Sequence, residues 1–134
     1  MAGYSKTPLW KKLGINTGSL VSTYKAPDNY QITLGDLPEQ VVIYTHLQND
    51  SDIIHAFMHS YEELIHIYPT LIDIMHKASA LWIFWPKKAS GVVSDINRDI
   101  IRSYILSEGL VDVKIASYDD VYSGLKCVYR LKDR

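Results

Sequence analysis

The sequence predicts an α/β fold: a single three-layer, Rossmann-like domain whose mainly parallel sheet of about six strands ends in an antiparallel β-hairpin. Short apolar stretches alternate with segments of helical periodicity, the pattern of a parallel sheet with crossover helices. One stretch, residues 81–86 (LWIFWP), is apolar throughout, as expected of a central strand buried on both faces. The chain then ends in two alternating stretches joined by a short connection, which is typical of a hairpin.

The composition fits one domain over residues 1–134. Of the 134 residues, 47% are apolar and 22% are charged, which suffices for one hydrophobic core. The net charge of -1 gives no overall field that would attract nucleic acid or an anionic membrane, so neither is predicted as a partner. The single cysteine, Cys127, excludes an internal disulfide and predicts a reducing, cytoplasmic location. No apolar run reaches the roughly 18 residues that a membrane-spanning helix needs.

The first 18 residues predict an N-terminal helical clasp. Thr7 is expected to cap a helix of two turns, with Pro8 at its first position and Gly14 at its end. Leu9, Trp10 and Leu13 fall on one face of this helix, which predicts packing against the body of the domain.

Six strands and three further helices are predicted in the rest of the chain. The strands are expected at residues 20–25, 41–47, 52–58, 81–86, 110–118 and 125–131. A short helix is expected between the first two strands, and a longer one over residues 61–78. Pro69 should kink or restart that helix, because a proline in a helix interior costs about 3 kcal/mol. Ser94 or Asp95 is expected to cap the last helix, with Gly109 at its end.

The carboxyl ends of parallel strands are where ligands bind in such sheets, near the point where the strand order reverses. This rule selects three places: the residues after the first strand, the end of the third strand at His59, and the loop after the strand at 81–86. The predicted ligand-binding residues are Lys25, Ala26, Pro27, Trp85, Pro86, Lys87, Lys88, Ser90 and Gly91.

The loop after residues 81–86 has the chemistry of an anion site. Lys87 and Lys88 provide two ammonium groups, Ser90 provides a hydroxyl, and loop N–H groups complete a cradle for phosphate or carboxylate. The alternative is a solvated connector whose lysines keep the loop soluble. Lys11 and Lys12 could approach the same edge. Trp82 and Trp85, three residues apart on one strand, must point to opposite faces of the sheet.

No metal ligands and no catalytic residues are predicted. His55 and His59 have the spacing of a zinc pair on a helix, but on a strand they would be about 13 Å apart. Ser90 and Ser123 lack a nucleophile motif such as G-x-S-x-G, and Cys127 lies in an alternating strand where it is expected to be inert. Ser123 and Gly124 are expected to form the hairpin turn.

Four motifs distributed over the chain, YSKTPLWKKLGI, KAPDNY, WPKKASG and YSGLKCVYR, resemble a small bacterial family of uncharacterised single-domain proteins. The order of the elements is similar to a trimmed S-adenosylmethionine-dependent methyltransferase fold. That resemblance implies a glycine-rich turn after the first strand and an acidic residue after the second. This chain has Tyr24 to Pro27 at the first place, and His46, Leu47 and Gln48 at the second.

Two functional hypotheses follow. The first is a non-catalytic or cofactor-divergent Rossmann-like domain that binds a small anionic ligand or a partner protein at the carboxyl edge of the sheet. The alternative is an S-adenosylmethionine-dependent methyltransferase, for which the fold pattern is the support. A homodimer formed through the terminal hairpin or an exposed apolar face is compatible with either hypothesis.

Overall fold

The computed structural model describes residues 7–134. Four α-helices are present in this part of the chain: α1 (Leu9–Lys12), α2 (Tyr30–Leu34), α3 (Tyr61–Ile74) and α4 (Arg98–Ser107). Six strands alternate with them: β1 (Leu20–Tyr24), β2 (Val42–Tyr44), β3 (Ser51–Phe57), β4 (Met75–Pro86), β5 (Leu110–Ser117) and β6 (Tyr122–Tyr129). Two short 3₁₀ helices follow β4 and β6, at Lys88–Ser90 and Leu131–Asp133. None of the described helices is long and apolar enough to cross a membrane.

The strands form one sheet in the order β2-β1-β3-β4-β6-β5. β2, β1, β3 and β4 pair in parallel, whereas β6 is antiparallel to both of its neighbours, β4 and β5. The predicted fold class is therefore confirmed. Because β1 pairs with β2 on one side and with β3 on the other, the strand order reverses at β1, which is where a ligand crevice is expected.

Helices cover both faces of the sheet and define two cores. α3 and α4 cover one face with a cluster that includes Leu64, Ile101 and Trp85. α1 and α2 cover the other face, where Leu13 and Trp82 are buried. The two tryptophans of β4 therefore lie on opposite faces, as the strand period predicts. Both are almost fully excluded from solvent.

The N-terminal helix is shorter than the sequence predicts. α1 begins at Leu9, after Pro8, and makes a single turn rather than two. Pro8 precedes the helix as its N-cap residue, since its extended backbone (ψ 152°) is not helical. Gly14 follows the turn with φ 78°, as expected of a stop residue. The first six residues of the predicted clasp lie outside the described residues.

α3 runs through Pro69 without a restart and ends earlier than predicted. Pro69 is exposed, so water can hydrate the carbonyl that loses its N–H partner, while buried Tyr68 and Leu71 on either side hold the helix to the core. Residues 75–78, predicted as helix, are instead the start of β4. Pairing of Met75 with Ser51 of β3 outweighs their helical periodicity.

The N-terminal caps predicted for α4 were wrong, whereas Gly109 follows the end of the helix with a positive φ of 101°, as predicted. Asn97 is the N-cap, and its side-chain oxygen accepts a hydrogen bond from the N–H of Ile100 at 2.9 Å. Ser94 and Asp95, the predicted caps, are engaged elsewhere: Ser94 donates to the carbonyl of His59, and Asp95 accepts from the N–H of Tyr61. The loop before α4 is thereby fixed to the start of α3.

The hairpin turn is also tighter than predicted. It comprises residues 118–121, because β6 begins at Tyr122, and Ser123 and Gly124 are strand residues rather than turn residues. Gly124 pairs with Phe84 of β4. A Cβ atom at Gly124 would lie 2.5 Å from Cε1 of the Phe84 ring and 3.2 Å from Cε3 of Trp82. The glycine therefore permits the close approach of the two aromatic rings to the β6 backbone.

We expect Gly124→Ala to destabilise the protein by about 1–3 kcal/mol, because the added methyl group overpacks the ring of buried Phe84. Chemical denaturation would measure the loss as a lower midpoint. Ser123→Ala, one residue away on the same strand and outside that aromatic contact, is the control and should stay within about 0.5 kcal/mol of the wild type. Equal stability of Gly124→Ala and the wild type would contradict the packing argument.

Candidate functional site

The carboxyl ends of β1, β3 and β4 meet at one edge of the sheet, because these three strands are parallel neighbours. Three cavities open along this edge, of about 410, 570 and 490 Å³. The first lies beside the ends of β1 and β2, the second beside the ends of β1 and β3, and the third beside the end of β4. Lys25 lines both the first and the second cavity, and so separates them.

Lys25 forms the turn that leaves β1. Its φ of 54° is left-handed, so the backbone makes here the kind of turn for which glycine is the usual residue. The Lys25 ammonium reaches Oε2 of Glu63 on α3 at 2.5 Å. The Tyr24 hydroxyl donates to the same oxygen at 3.0 Å. The crevice between β1 and β3 is thus crossed by an ion pair.

Glu63 joins these groups to the end of β3. Ser60 caps α3 by accepting from the N–H of Glu63, and Oε1 of Glu63 accepts from the N–H of His59 at 2.8 Å. Burial alone would raise the pKa of the Glu63 carboxyl. The hydrogen bonds from Lys25, His59 and Tyr24 outweigh that effect and hold its pKa below the usual range. Glu63 is therefore an anion at neutral pH.

His59 is held by three segments besides its own. Its carbonyl accepts from Ser94 in the loop before α4, and its Nε2 lies 2.8 Å from the hydroxyl of Tyr122 on β6. Its Nδ1 is 3.7 Å from Oε1 of Glu63. The imidazole is nevertheless 39% exposed and lines the same cavity as Lys25 and Glu63. A polar ring that is both fixed and accessible can meet a ligand with a defined orientation.

The predicted residues after β1 lie together. Lys25, Ala26 and Pro27 line the cavity of about 410 Å³ beside the ends of β1 and β2. Polar groups in this cavity include the carboxylate of Asp28 and the hydroxyl of Thr45. β2 is followed by His46, Leu47 and Gln48, without a carboxylate.

The loop after β4 divides the predicted residues into two groups. The Lys87 ammonium donates to the Ser117 hydroxyl at 2.7 Å and to the Asp119 carbonyl at 2.6 Å, and so fastens the loop to the hairpin. The Ser90 hydroxyl donates to the Lys87 carbonyl. The Lys87 ammonium and the Ser90 hydroxyl therefore stabilise the conformation of the loop.

The other loop residues line the cavity of about 490 Å³. These are Trp85, Pro86, Lys88 and Gly91. Lys88 is exposed, and its ammonium makes no ion pair or hydrogen bond with the rest of residues 7–134. Lys12 lies elsewhere, since its carbonyl accepts from the Lys114 ammonium on β5.

The sequence analysis selects the strand end at His59 without counting it among the ligand-binding residues, and it does not identify Glu63 or Tyr122. The sequence around Glu63 contains a usable pattern: Ser60 followed three residues later by Glu63 is the S-x-x-E capping box, placed directly after a buried strand. The contact of Tyr122 with His59 joins residues 63 positions apart, and no local pattern encodes it.

The remaining histidine and thiol candidates belong to the core. His55 is fully buried beside Tyr30 and Phe84, and its Nδ1 lies 2.6 Å from the Tyr30 hydroxyl. Burial lowers the pKa of His55 to about 3, so its imidazole is neutral. Cys127 is buried as well, and burial raises the pKa of its thiol. Residues 7–134 contain no group of three or more His, Cys, Asp or Glu side chains suited to hold a metal ion.

Solved structures with a similar fold include methyltransferases and fibrillarins. A tRNA methyltransferase of B. subtilis, TrmK, matches with a TM-score of 0.59 and 12% identity over 97% of this chain and 68% of its own. The fibrillarin pre-rRNA processing protein of Methanococcus jannaschii matches with a TM-score of 0.62 and 9% identity over 96% and 71%. A ribosomal protein L11 methylase of Lactobacillus delbrueckii matches with a TM-score of 0.53 and 9% identity over 90% and 74%.

The chain thus has a Rossmann-like methyltransferase fold. At such low identities the likeness defines the fold, and what those proteins act on is a property of each of them. No family model matches the sequence, and no curated protein does. The resemblance of the four motifs to a bacterial family therefore stays a prediction.

We expect Glu63→Gln to lower the free energy of unfolding by about 1–2 kcal/mol at neutral pH, because glutamine loses the ion pair with partly exposed Lys25 and weakens the hydrogen bonds from Tyr24 and the His59 N–H. The folded-state pKa of Glu63 lies below its unfolded value, so this contribution is complete above the unfolded pKa and disappears as the pH falls through the folded one. The difference between wild type and variant should therefore shrink below about pH 4.

Denaturation at a series of pH values would test this expectation. Glu62→Gln is the matched control, since it makes the same change at the neighbouring, exposed position. A constant difference across the acid range, or an equal loss in Glu62→Gln, would contradict the role given to Glu63.

Proposed function

We propose that the chain is an S-adenosylmethionine-binding domain of the methyltransferase type, with its ligand site along the carboxyl ends of β2, β1 and β3. The observation that carries this proposal is the Lys25–Glu63 ion pair, which lies across the crevice where the strand order reverses. The methyltransferase fold supports it.

The amino-acid end of S-adenosylmethionine fits the two charges of the crevice. Its α-carboxylate matches the Lys25 ammonium, and its α-ammonium matches the Glu63 carboxylate. The ligand carboxylate would thus take the place of Glu63 as the partner of Lys25, and the ligand ammonium would take the place of Lys25 as the partner of Glu63. The exchange costs little on the Lys25 side, because that side chain is 57% exposed and an exposed ion pair is worth at most about 1 kcal/mol.

The nucleoside end would contact groups other than the glycine-rich turn after β1 and the acidic residue after β2 that the methyltransferase fold usually provides. The left-handed turn at Lys25 and the small side chain of Ala26 let the backbone approach a ligand without a glycine-rich loop. The ribose hydroxyls need an acceptor, and β2 is followed by none that is charged. Asp28, in the same cavity, supplies a carboxylate, and Thr45 supplies a hydroxyl. The residues present therefore fit the ligand in a divergent manner.

The cofactor supplies, when bound, a methyl group on a positively charged sulfur. The protein's part is to bind the ligand at Lys25 and Glu63 and to orient it along the sheet edge. His59 lines the same cavity, and its imidazole carries the ring nitrogens that general bases commonly use. It is the group that we assign to deprotonate a methyl acceptor.

We expect S-adenosylmethionine to bind with measurable heat in calorimetry, and Lys25→Ala to weaken that binding at least about tenfold, because it removes the partner of the carboxylate. 5′-Methylthioadenosine, which lacks the amino-acid group, should bind equally to wild type and Lys25→Ala. Lys132→Ala removes an exposed charge near the C-terminus and serves as the control.

Absence of S-adenosylmethionine binding at millimolar concentration would overturn the proposal. A loss of 5′-methylthioadenosine binding in Lys25→Ala, equal to that of the full cofactor, would contradict the pairing of Lys25 with the carboxylate.

A second candidate function is the binding of a small anion beside β4, in the cavity lined by Trp85 and Lys88. One observation favours it: of the two loop lysines, Lys87 is tied to the hairpin while Lys88 lines the cavity without a partner in the described chain. Trp85 and Pro86 offer an apolar wall, so the ligand class is an anion with an apolar body.

The two lysines provide a matched pair of variants for this candidate. Inorganic phosphate should raise the melting temperature of the wild type, and Lys88→Gln should abolish that increase. Lys87→Gln should instead lose about 1 kcal/mol of stability, because its hydrogen bonds to the hairpin are removed, and should therefore melt at a lower temperature without phosphate. Phosphate should still raise the melting temperature of this variant. An equal response to phosphate in the wild type and Lys88→Gln would contradict an anion site at Lys88.

A further inference from the structure

We propose that the side of the hairpin nearest α1 binds the phosphate backbone of a nucleic acid. The surface consists of Lys12, Lys114 and Lys126, with exposed Lys11 beside them, and is called the lysine surface below. This proposal does not depend on the function proposed above, because the lysine surface lies on a face of the sheet and not along its carboxyl edge.

The strand register places these lysines together. Lys114 of β5 lies directly opposite Lys126 of β6, and Lys126 lies opposite Trp82 of β4. Residues directly opposite one another on neighbouring strands share a face of the sheet. That face is the one covered by α1, since the Trp82 indole N–H donates to the carbonyl of Leu13 at 3.1 Å. The Lys114 ammonium donates to the carbonyl of Lys12 at 2.9 Å, which brings α1 to the same place.

Two like charges directly opposite each other on adjacent strands destabilise a sheet. Here they are not offset within the protein, because no carboxylate of residues 7–134 pairs with Lys12, Lys114 or Lys126. Three other cations do have carboxylate partners: Lys25 pairs with Glu63, Arg98 with Asp99, and Arg102 with Asp112. The lysine surface differs because it brings several lysines without a carboxylate partner together on adjacent elements.

Protection of the sheet edge explains only part of this arrangement. A lysine on an edge strand prevents the pairing of strands from two molecules, which suffices for Lys114 on β5. Lys126 has no such role, because β6 lies between β4 and β5 and has no free edge. An external anion with several charges offsets both lysines at once.

The chemistry of the lysine surface favours phosphates over bases. Lysine ammonium groups are point charges on flexible stems, and they contact phosphates without reading sequence. Trp82, which lies opposite Lys126, is fully buried, and Trp10 on α1 is half-buried against the same core, so no described tryptophan at this surface is fully open for a base to stack on. Because no described aromatic ring at this surface is fully exposed, insertion between lipid head groups is also disfavoured. We therefore expect salt-sensitive binding without sequence preference.

Fluorescence anisotropy with a labelled single-stranded RNA of about 20 nucleotides would test the proposal on the full chain. Three lysine–phosphate contacts predict that the apparent affinity falls about 20-fold when salt rises from about 50 to about 200 mM. Replacing two of them in Lys114→Gln/Lys126→Gln should weaken binding and reduce the slope of log affinity against log salt by about 1.4.

Lys77→Gln/Lys132→Gln carries the same change in net charge and is the matched control. Lys77 lies over the ring of Tyr129, which packs against the core on the α3 and α4 side, away from the lysine surface. No binding at low salt, or an equal loss of affinity in both double variants, would overturn the proposal. Binding of phosphatidylserine vesicles, but not of RNA, that is lost in Lys114→Gln/Lys126→Gln would also overturn it and assign the surface to a membrane.

Discussion

β4 is hydrogen-bonded along both edges and covered on both faces, and the rest of the domain is arranged around this burial. Its neighbours are parallel β3 and antiparallel β6, so it joins the Rossmann-like half of the sheet to the hairpin. Both cores depend on it, through Trp82 on one face and Trp85 on the other. The approach of the β6 backbone to the Phe84 ring requires a glycine at position 124. Because β4 is fixed on all sides, its exit loop emerges at a defined place on the sheet edge.

At the carboxyl edge of the sheet, Glu63 is the residue that joins neighbouring elements, as β4 does in the core. One carboxylate accepts hydrogen bonds from an ammonium, a phenol and a backbone N–H at two strand ends, at the place where the proposed cofactor would bind. A crevice closed by an internal ion pair is stable in the absence of a ligand. The ligand proposed above carries charges of both signs, so it could replace both partners of this ion pair. A simple anion could replace only Glu63 as the partner of Lys25, and the Glu63 carboxylate would keep only the hydrogen bonds from Tyr24 and the His59 N–H.

The sequence allowed prediction of the fold class, the six strands and the opposed tryptophans, because the period of apolar residues directly records which faces are buried. The first and last residues of helices and strands were predicted less well, because contacts between residues far apart in the sequence determine where these elements begin and end. Ser94 and Asp95 have the chemistry of caps but bond to His59 and Tyr61 instead. The candidate site shows the same limit: the residues at strand exits follow from topology, whereas the partners that distinguish Lys87 from Lys88 lie about 30 residues away in the hairpin.

Net charge is the weakest of the sequence-based arguments, and the lysine surface shows why. A balance of 14 basic and 15 acidic residues excludes a uniform field around the protein. It says nothing about where the charges lie once strands are paired. Interactions with phosphates act within a Debye length of about 10 Å, a distance over which three lysines on adjacent elements outweigh carboxylates on the opposite face. A nearly neutral chain can therefore present a cationic surface, and the register of β5 and β6 is the information that composition lacks.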